Sequence, residues 1–317
     1  MKGAKLYRDH YTLEEHIASG GFADIYRASE VGRNEPIAIK ICAKHDDVSY
    51  SRSIIKEAEL LRKFNHRSII KLHPIPRPDK ASVTYANAIE LPQHPVFFVM
   101  EYLNGGSLED YLQEVGTLSP PEAATIALEV ARALDHIHLK GYAHNDLKLE
   151  NIVFREPVQA GKMFMPVLLD FGIATRVLPP QGGTLYIMSP EQLPLVSVNV
   201  APERMNDVDQ VKIDVWGLGV VLYRMLGGKL PFSGRNTRSL TAQIKVSRPT
   251  SLREFSRQIT AGLDEMVIDG CLAKDPNHRL SLLDLGIELR KVAGPGVPAQ
   301  KSGHASSRKS KWMFWSS

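Results

Sequence analysis

Ten residues, Tyr142 to Asn151 (YAHNDLKLEN), concentrate a histidine, two carboxylates, a lysine and two amides in one short stretch. Asp146 is followed two and five residues on by Lys148 and Asn151. Further along, an apolar run breaks on Asp170 within LLDFG, Leu168 to Gly172. Asn151 and Asp170 supply oxygen ligands of the hard type that Mg²⁺ prefers, and Asp146 is then free to accept a proton or orient a hydroxyl. Lys148 can neutralise a phosphoryl group in transfer. Either stretch alone also fits an Asx-rich turn at a strand end; both in this order fit phosphoryl chemistry better than two unrelated turns.

Two earlier features belong to the same chemistry. IASGGFADIYRA, Ile17 to Ala28, is a small-residue turn between two strands. Small residues let backbone N–H groups approach phosphate oxygens, although an ordinary glycine hairpin reads the same way. Lys40 lies in the apolar strand IAIKIC. A lysine there needs a partner, and Glu57 is the candidate, as a phosphate clamp or as a plain structural ion pair.

The elements that must position these residues change character along the chain. Up to about Tyr102, YTLEEHIA, ADIYRA, EPIAIKICA and VFFVMEY are short alternating or apolar runs bounded by Gly, Asn or Pro, as in strands. One helix interrupts them: SRSIIKEAELLRKF puts Ile54, Ala58 and Leu61 on one face, with Glu57 pointing the same way. Beyond Tyr102 helices dominate. Ser119, Pro120 and Glu122 open a helix as N-cap, N1 and N3, its stripe runs through Leu128, Ala131 and Leu134, and Gly141 stops it. IDVWGLGVVLYRML is apolar nearly all round and reads as a central buried helix, and SLLDLGIELRKV as a last amphipathic one before AGPGVPAQ.

Bulk composition narrows the class. The 317 residues are 43% hydrophobic and 23% charged, with no uninterrupted apolar run of membrane-spanning length. Lys and Arg number 39 against 35 Asp and Glu, a net charge of +4 that is too mild to point to nucleic acid. The only cysteines, Cys42 and Cys271, sit in apolar settings without a metal-type cluster, which points to a reducing compartment. MKGAKLYRDHY has no apolar core of signal-peptide length, so the expected location is cytoplasmic.

Taken together, these pieces resemble the eukaryotic-type (Hanks-type) serine/threonine protein kinases from Tyr11 to Val292. The terse loops resemble bacterial members more than animal ones. The resemblance implies an α+β, two-lobed fold: a small β-rich, nucleotide-binding lobe at 1–102 and a larger, mainly helical catalytic lobe at 103–293; beyond them, the composition of 294–317 reads as a flexible basic and aromatic tail. It implies ATP and Mg²⁺ (or Mn²⁺) as cofactors and a protein with a Ser or Thr acceptor as partner. Lys40 then corresponds to the lysine that holds the α- and β-phosphates and Glu57 to its helix partner. Asp146 corresponds to the catalytic-loop Asp, and Asn151 and Asp170 to the Mg²⁺ ligands. Ala18, Ser19, Gly20, Gly21, Phe22, Ala23 and Asp24 take the place of the phosphate-covering turn. Ile17, Ile25, Ala38 and Val153 would sandwich adenine, with Met100 at the back, backbone groups of Glu101 and Leu103 at its edge and Ser107 at the ribose. GGTLYIMSPE resembles the peptide-positioning segment with Ser189 in place of an alanine, and Asp214 and Arg279 fit structural anchors. Lys148 with Thr184 marks the serine/threonine branch.

The sequence departs from the family in two places. Ala18 and Ala23 stand where two of three loop glycines are usual, which implies a stiffer loop that still binds ATP. Asn145 stands where Arg usually precedes the catalytic Asp, and it cannot pair with a phosphorylated activation loop. Residues 173–183 offer only Thr175 as an acceptor and contain Pro179 and Pro180, so activity should not wait for loop phosphorylation. A pseudokinase scaffold is the alternative; the retained Lys40, Glu57, Asp146, Asn151 and Asp170 argue against it. GGTLYIMSPEQL argues against a small-molecule kinase. In the tail, Arg308, Lys309 and Lys311 precede Trp312, Phe314 and Trp315. That pairing suits a membrane surface or a partner groove, against the plainer reading of a solvated tail.

Overall fold

A computed structural model describes residues 1–21, 23–43, 48–77, 81–171, 183–193 and 210–295. They fall into two compact units: residues 1–104 with 169–171, and residues 105–168 with the later described residues.

The first unit is built on an antiparallel sheet. Its strands are β1 (Lys5–Leu6), β2 (Tyr11–Ser19), β3 (Ala23–Glu30), β4 (Ile37–Cys42), β5 (Leu72–His73), β6 (Ala86–Asn87) and β7 (Val96–Glu101). Their order is β1-β2-β3-β4-β7-β5, with β6 also paired to β7. The three pieces of two residues each, β1, β5 and β6, are too short to leave a periodic trace in the sequence. Strand alternation sends Leu13, Tyr26, Ile37, Ile39, Ile41, Phe97 and Val99 into one core cluster. Cross-strand partners share a face, so Ile25 opposite Lys40, Lys40 opposite Phe98 and Ala38 opposite Met100 define the other one. Helix α1 (Val48–Leu61) touches β4 and β7 and buries Ile54, Glu57, Ala58, Leu60 and Leu61.

The second unit is mainly helical: α2 (Leu108–Val115), α3 (Pro120–His138), α4 (Gln210–Gly227), α5 (Thr237–Val246), α6 (Ala261–Glu265) and α7 (Leu282–Ala293). It also holds the hairpin of β8 (Ile152–Phe154) and β9 (Pro166–Leu168). The Ser119 N–H and hydroxyl both donate to Glu122, fixing the start of α3. That helix ends at His138, before the expected stop. Gly141, at φ +80°, lets the chain turn so that the Tyr142 N–H reaches the carbonyl of Ile137. Strand β9 likewise ends at Leu168 and not at Asp170; Asp170 has φ +57°, a left-handed conformation that a strand cannot hold and that Asp tolerates. Helix α4 is buried from Ile213 to Tyr223, as its all-round apolar sequence requires, and α3 packs against both α4 and α7. The α+β class implied by the resemblance is the one observed. Among the described residues no helix is long and apolar enough to cross a membrane.

The close seat of α4 gives a stability test. A Cβ at Gly219 would lie 2.6 Å from the Cβ of Cys271 and 3.0 Å from Leu272, whereas a Cβ at Gly262 meets nothing within 4 Å. Gly219→Ala is expected to destabilise the protein by about 1–3 kcal/mol despite the better helix former. Gly262→Ala should stabilise it by about 0.5–1 kcal/mol. Chemical denaturation followed by circular dichroism measures both.

Candidate active site

In the first unit the site is organised by a buried charge. Lys40, 7% exposed in the wholly buried β4, places its Nζ 2.7 Å from both carboxylate oxygens of Glu57 on α1. Its Nζ also lies 3.5 Å from Oδ1 of Asp170. Burial alone pulls the ammonium's pKa down, but the carboxylates of Asp170 and Glu57 outweigh it and hold the pKa above the usual lysine range. Lys40 therefore stays cationic. Phe171 packs its ring against Phe64, 5.3 Å between centroids, and so fixes the residue next to Asp170.

The same unit carries most of the expected nucleotide residues. Ala18, Ala23, Ile25, Ala38, Met100 and Leu103 are buried, and Ile17 sits in a β-bulge between His16 and Ala18 that takes it out of the β2–β3 register. Gly20 closes the turn by donating its N–H to the carbonyl of Ala23 at 2.7 Å. The Ser19 hydroxyl donates to Asp24 at 2.6 Å and lies 3.0 Å from Nε2 of His16. Sequence reasoning missed this side-chain bracing, although His16, Ser19 and Asp24 are all polar at a strand–turn–strand junction. The Glu101 N–H donates to the carbonyl of Lys71 at 2.9 Å. Phe22 lies outside the described residues.

In the second unit the loop from His144 to Asn151 is held from below by Asp214 of α4. This carboxylate, 1% exposed, accepts from the N–H groups of His144 and Asn145 at 2.8 and 2.7 Å. It also lies 2.7 Å from Nε2 of His138 on α3. Asn145 adopts φ +62°, which Asn tolerates better than most residues, and its side-chain amide donates to Gln210 at 3.1 Å. Asn151 donates its Nδ2 to the carbonyl of Asp146 at 2.9 Å and to Oδ2 of Asp146 at 3.3 Å. Both bonds use Nδ2, so the carbonyl Oδ1 is the atom available to a cation. Lys148 Nζ stands 3.5 Å from Oδ2 of Asp146.

Ser107 and Val153 also belong to this unit. The Ser107 hydroxyl caps α2 by donating to Asp110 at 2.7 Å and accepting the Asp110 N–H, while Val153 is fully buried and bridges to Ser107. Arg279 makes a two-pronged ion pair with Glu191, at 2.6 and 2.8 Å, which anchors the end of the segment 183–193. Tyr186 in that segment bonds Glu150, a contact no motif signalled. The Thr184 side chain, Thr175 and the tail beyond Pro295 lie outside what is described. Among the described residues no group of three or more His, Cys, Asp or Glu side chains is placed to hold a metal ion by itself. Mg²⁺ commonly takes one or two protein oxygens and completes its shell with water and phosphate; Asn151 in the second unit and Asp170 in the first each offer an oxygen of that hard type.

Comparison with known proteins gives the class. Residues 11–287 match the protein kinase domain, and the chain belongs to that family. It is 29% identical to the maternal embryonic leucine zipper kinase of Xenopus tropicalis over 87% of this chain and 38% of that protein. It is 26% identical to the serine/threonine-protein kinase RAD53 of Saccharomyces cerevisiae over 86% of this chain and 32% of that protein. It is 25% identical to the serine/threonine-protein kinase PrkC of Bacillus subtilis over 87% of this chain and 39% of that protein. The chain thus spans well under half the length of these three relatives.

The Lys40–Glu57 pair can be tested without any assay of activity. Lys40→Met leaves a buried carboxylate beside Asp170 and is expected to cost about 3–5 kcal/mol of stability. Adding Glu57→Leu to it should recover most of that loss. Urea unfolding of the single and double variants measures the difference.

Proposed function

We propose that this chain is an ATP-dependent protein kinase that transfers the γ-phosphoryl group to serine or threonine hydroxyls of protein substrates. The observation that carries the reading is the Asp146–Asn151–Lys148 arrangement. Asn151 ties down Asp146 through two bonds that both use its Nδ2, and Lys148 stands beside the carboxylate. In that arrangement Asp146 orients the acceptor hydroxyl and takes its proton late, since phosphoryl transfer asks more for positioning than for basicity. Lys148 steadies the phosphoryl oxygens. In the first unit Lys40, kept cationic by Glu57 and Asp170, holds the α- and β-phosphates, and Ile25, Ala38 and Met100 line the base. Asp170 and Asn151 are the proposed ligands of Mg²⁺, which neutralises phosphate charge when bound. Thr184 is assigned to substrate positioning.

The scaffold alternative is disfavoured because the charged and amide groups that transfer needs are present and, within each unit, bonded to one another. Small-molecule acceptors are disfavoured by the segment 183–193, which Glu191 and Arg279 anchor. Cys42 and Cys271 are both buried and form no disulfide, which fits a reducing compartment, and the cytoplasm is the proposed location. Independence from loop phosphorylation follows from Asn145. Its side chain is neutral and already donates to Gln210, so the loop carrying Asp146 is braced by an amide and by Asp214, and position 145 offers a phosphate no cation to recruit.

Asp146→Asn is expected to lower kcat by roughly 10²–10⁴ with little change in the KM for ATP. Asp170→Ala should abolish transfer and weaken Mg²⁺-ATP binding as well. Incubation with labelled ATP, Mg²⁺ and a general acceptor protein measures both; near-normal turnover in the two variants would leave only the scaffold reading. Phosphatase treatment and Thr175→Ala should each leave the rate within about twofold, because the brace at Asn145 is uncharged. An enzyme silent until Thr175 carries phosphate would contradict the role given to Asn145.

A further inference from the structure

Tyr186 connects two parts of the second unit that no sequence motif links. Its hydroxyl donates to the carboxylate of Glu150 and lies 2.8 and 3.0 Å from the two oxygens. Glu150 sits in the 3-10 turn Leu149–Asn151, directly before the residue that ties down Asp146. Tyr186 itself lies in the 3-10 turn Gly183–Ile187, at the start of the segment whose far end is fixed by Glu191 and Arg279. Glu191 thus holds one end of the segment to the helical scaffold, and Tyr186 holds the other to the loop that carries the chemistry. Burial first, and then the negative charge of Glu150, push the phenol far above the usual tyrosine range. The hydroxyl therefore keeps its proton and is the donor in its contact with the Glu150 carboxylate.

We propose that Tyr186 is a positioning residue for the protein substrate: its bond to Glu150 sets the register between the segment 183–193 and the catalytic loop 144–151. It touches neither ATP nor the reacting atoms. Removing the bond lets the segment shift against Asp146, so an acceptor hydroxyl is presented less often in line, while nucleotide binding is untouched. The proposal rests on the protein-kinase reading for its catalytic consequence and on geometry alone for its mechanical one.

Two readouts separate these. Amide hydrogen exchange on the full chain without nucleotide should show residues 185–193 exchanging several-fold faster in Tyr186→Phe than in the wild type, whether or not the protein transfers phosphate. In the transfer assay Tyr186→Phe should lower kcat/KM for the acceptor protein about tenfold, at an unchanged KM for ATP. Glu150→Gln, which keeps an acceptor oxygen, should stay within about threefold of wild type, Glu150→Ala should match Tyr186→Phe, and the double variant should be no worse than either. Unchanged exchange in Tyr186→Phe overturns the proposal, as does a loss that falls equally on the KM for ATP or additive losses in the double variant. A wild type that transfers nothing would refute the kinase reading, and the exchange measurement would still decide whether Tyr186 holds the segment.

Discussion

The second unit depends on one buried carboxylate. Asp214 sits in a helix that is apolar on nearly every side, and a charge at that depth is tolerated only if its oxygens are fully engaged. The N–H groups of His144 and Asn145, with Nε2 of His138, surround it. Two of the three are backbone groups, so the bonds fix the path of the chain itself and bring Asp146 to its place, with the Asn145 amide on Gln210 as a further brace. That is why the loop tolerates Asn where the family usually has Arg. The anchoring requirement falls on N–H groups, and Asn also tolerates the left-handed φ of position 145.

The first unit solves the same problem with the opposite charge. Lys40 in an apolar strand has Glu57 at hydrogen-bond distance and Asp170 at the edge of it, and its charge survives burial because two carboxylates face it. Such a cluster contributes little net stability, since desolvation offsets much of the attraction. Its value is a cation held at a fixed point. In the turn between β2 and β3, proposed to cover phosphate, alanines stand at two positions where glycine would be more flexible, and the contacts of Ser19 with Asp24 and His16 brace its base. A stiffer turn gives up adaptability and has less entropy to lose when a nucleotide is held.

Around these anchors, capping determines where the chain may turn. Ser107, Ser119, Asn236, Thr260 and Ser281 each stand immediately before a helix, and the helices begin there. Gly141 and Asp170 take left-handed conformations just past the end of an element. Both ends were displaced from the positions the apolar pattern suggested, because a pattern records which residues are buried and does not record where backbone bonding stops.

The sequence by itself determined what depends on residue type and local period. The strands around Lys40, the helix bearing Glu57, the buried helix of Asp214 and the helix starts at Ser119 and Ser281 were all legible, because burial and capping leave a residue-by-residue imprint. Asp146, Lys148, Asn151 and Asp170 were legible as candidates because few residue types suit phosphate and Mg²⁺ chemistry and their order is distinctive. Only the tertiary structure decided the contacts between residues far apart in the chain: Tyr186 with Glu150, Asn145 with Gln210, Glu191 with Arg279 and the Glu101 N–H with Lys71. It also decided that Ser107 spends its hydroxyl on a helix cap and that Ile17 leaves the strand register in a bulge. The physical reason is that a hydrogen bond depends on two groups meeting within about 3 Å. Nothing in one group's own neighbourhood encodes the partner that folding brings to it.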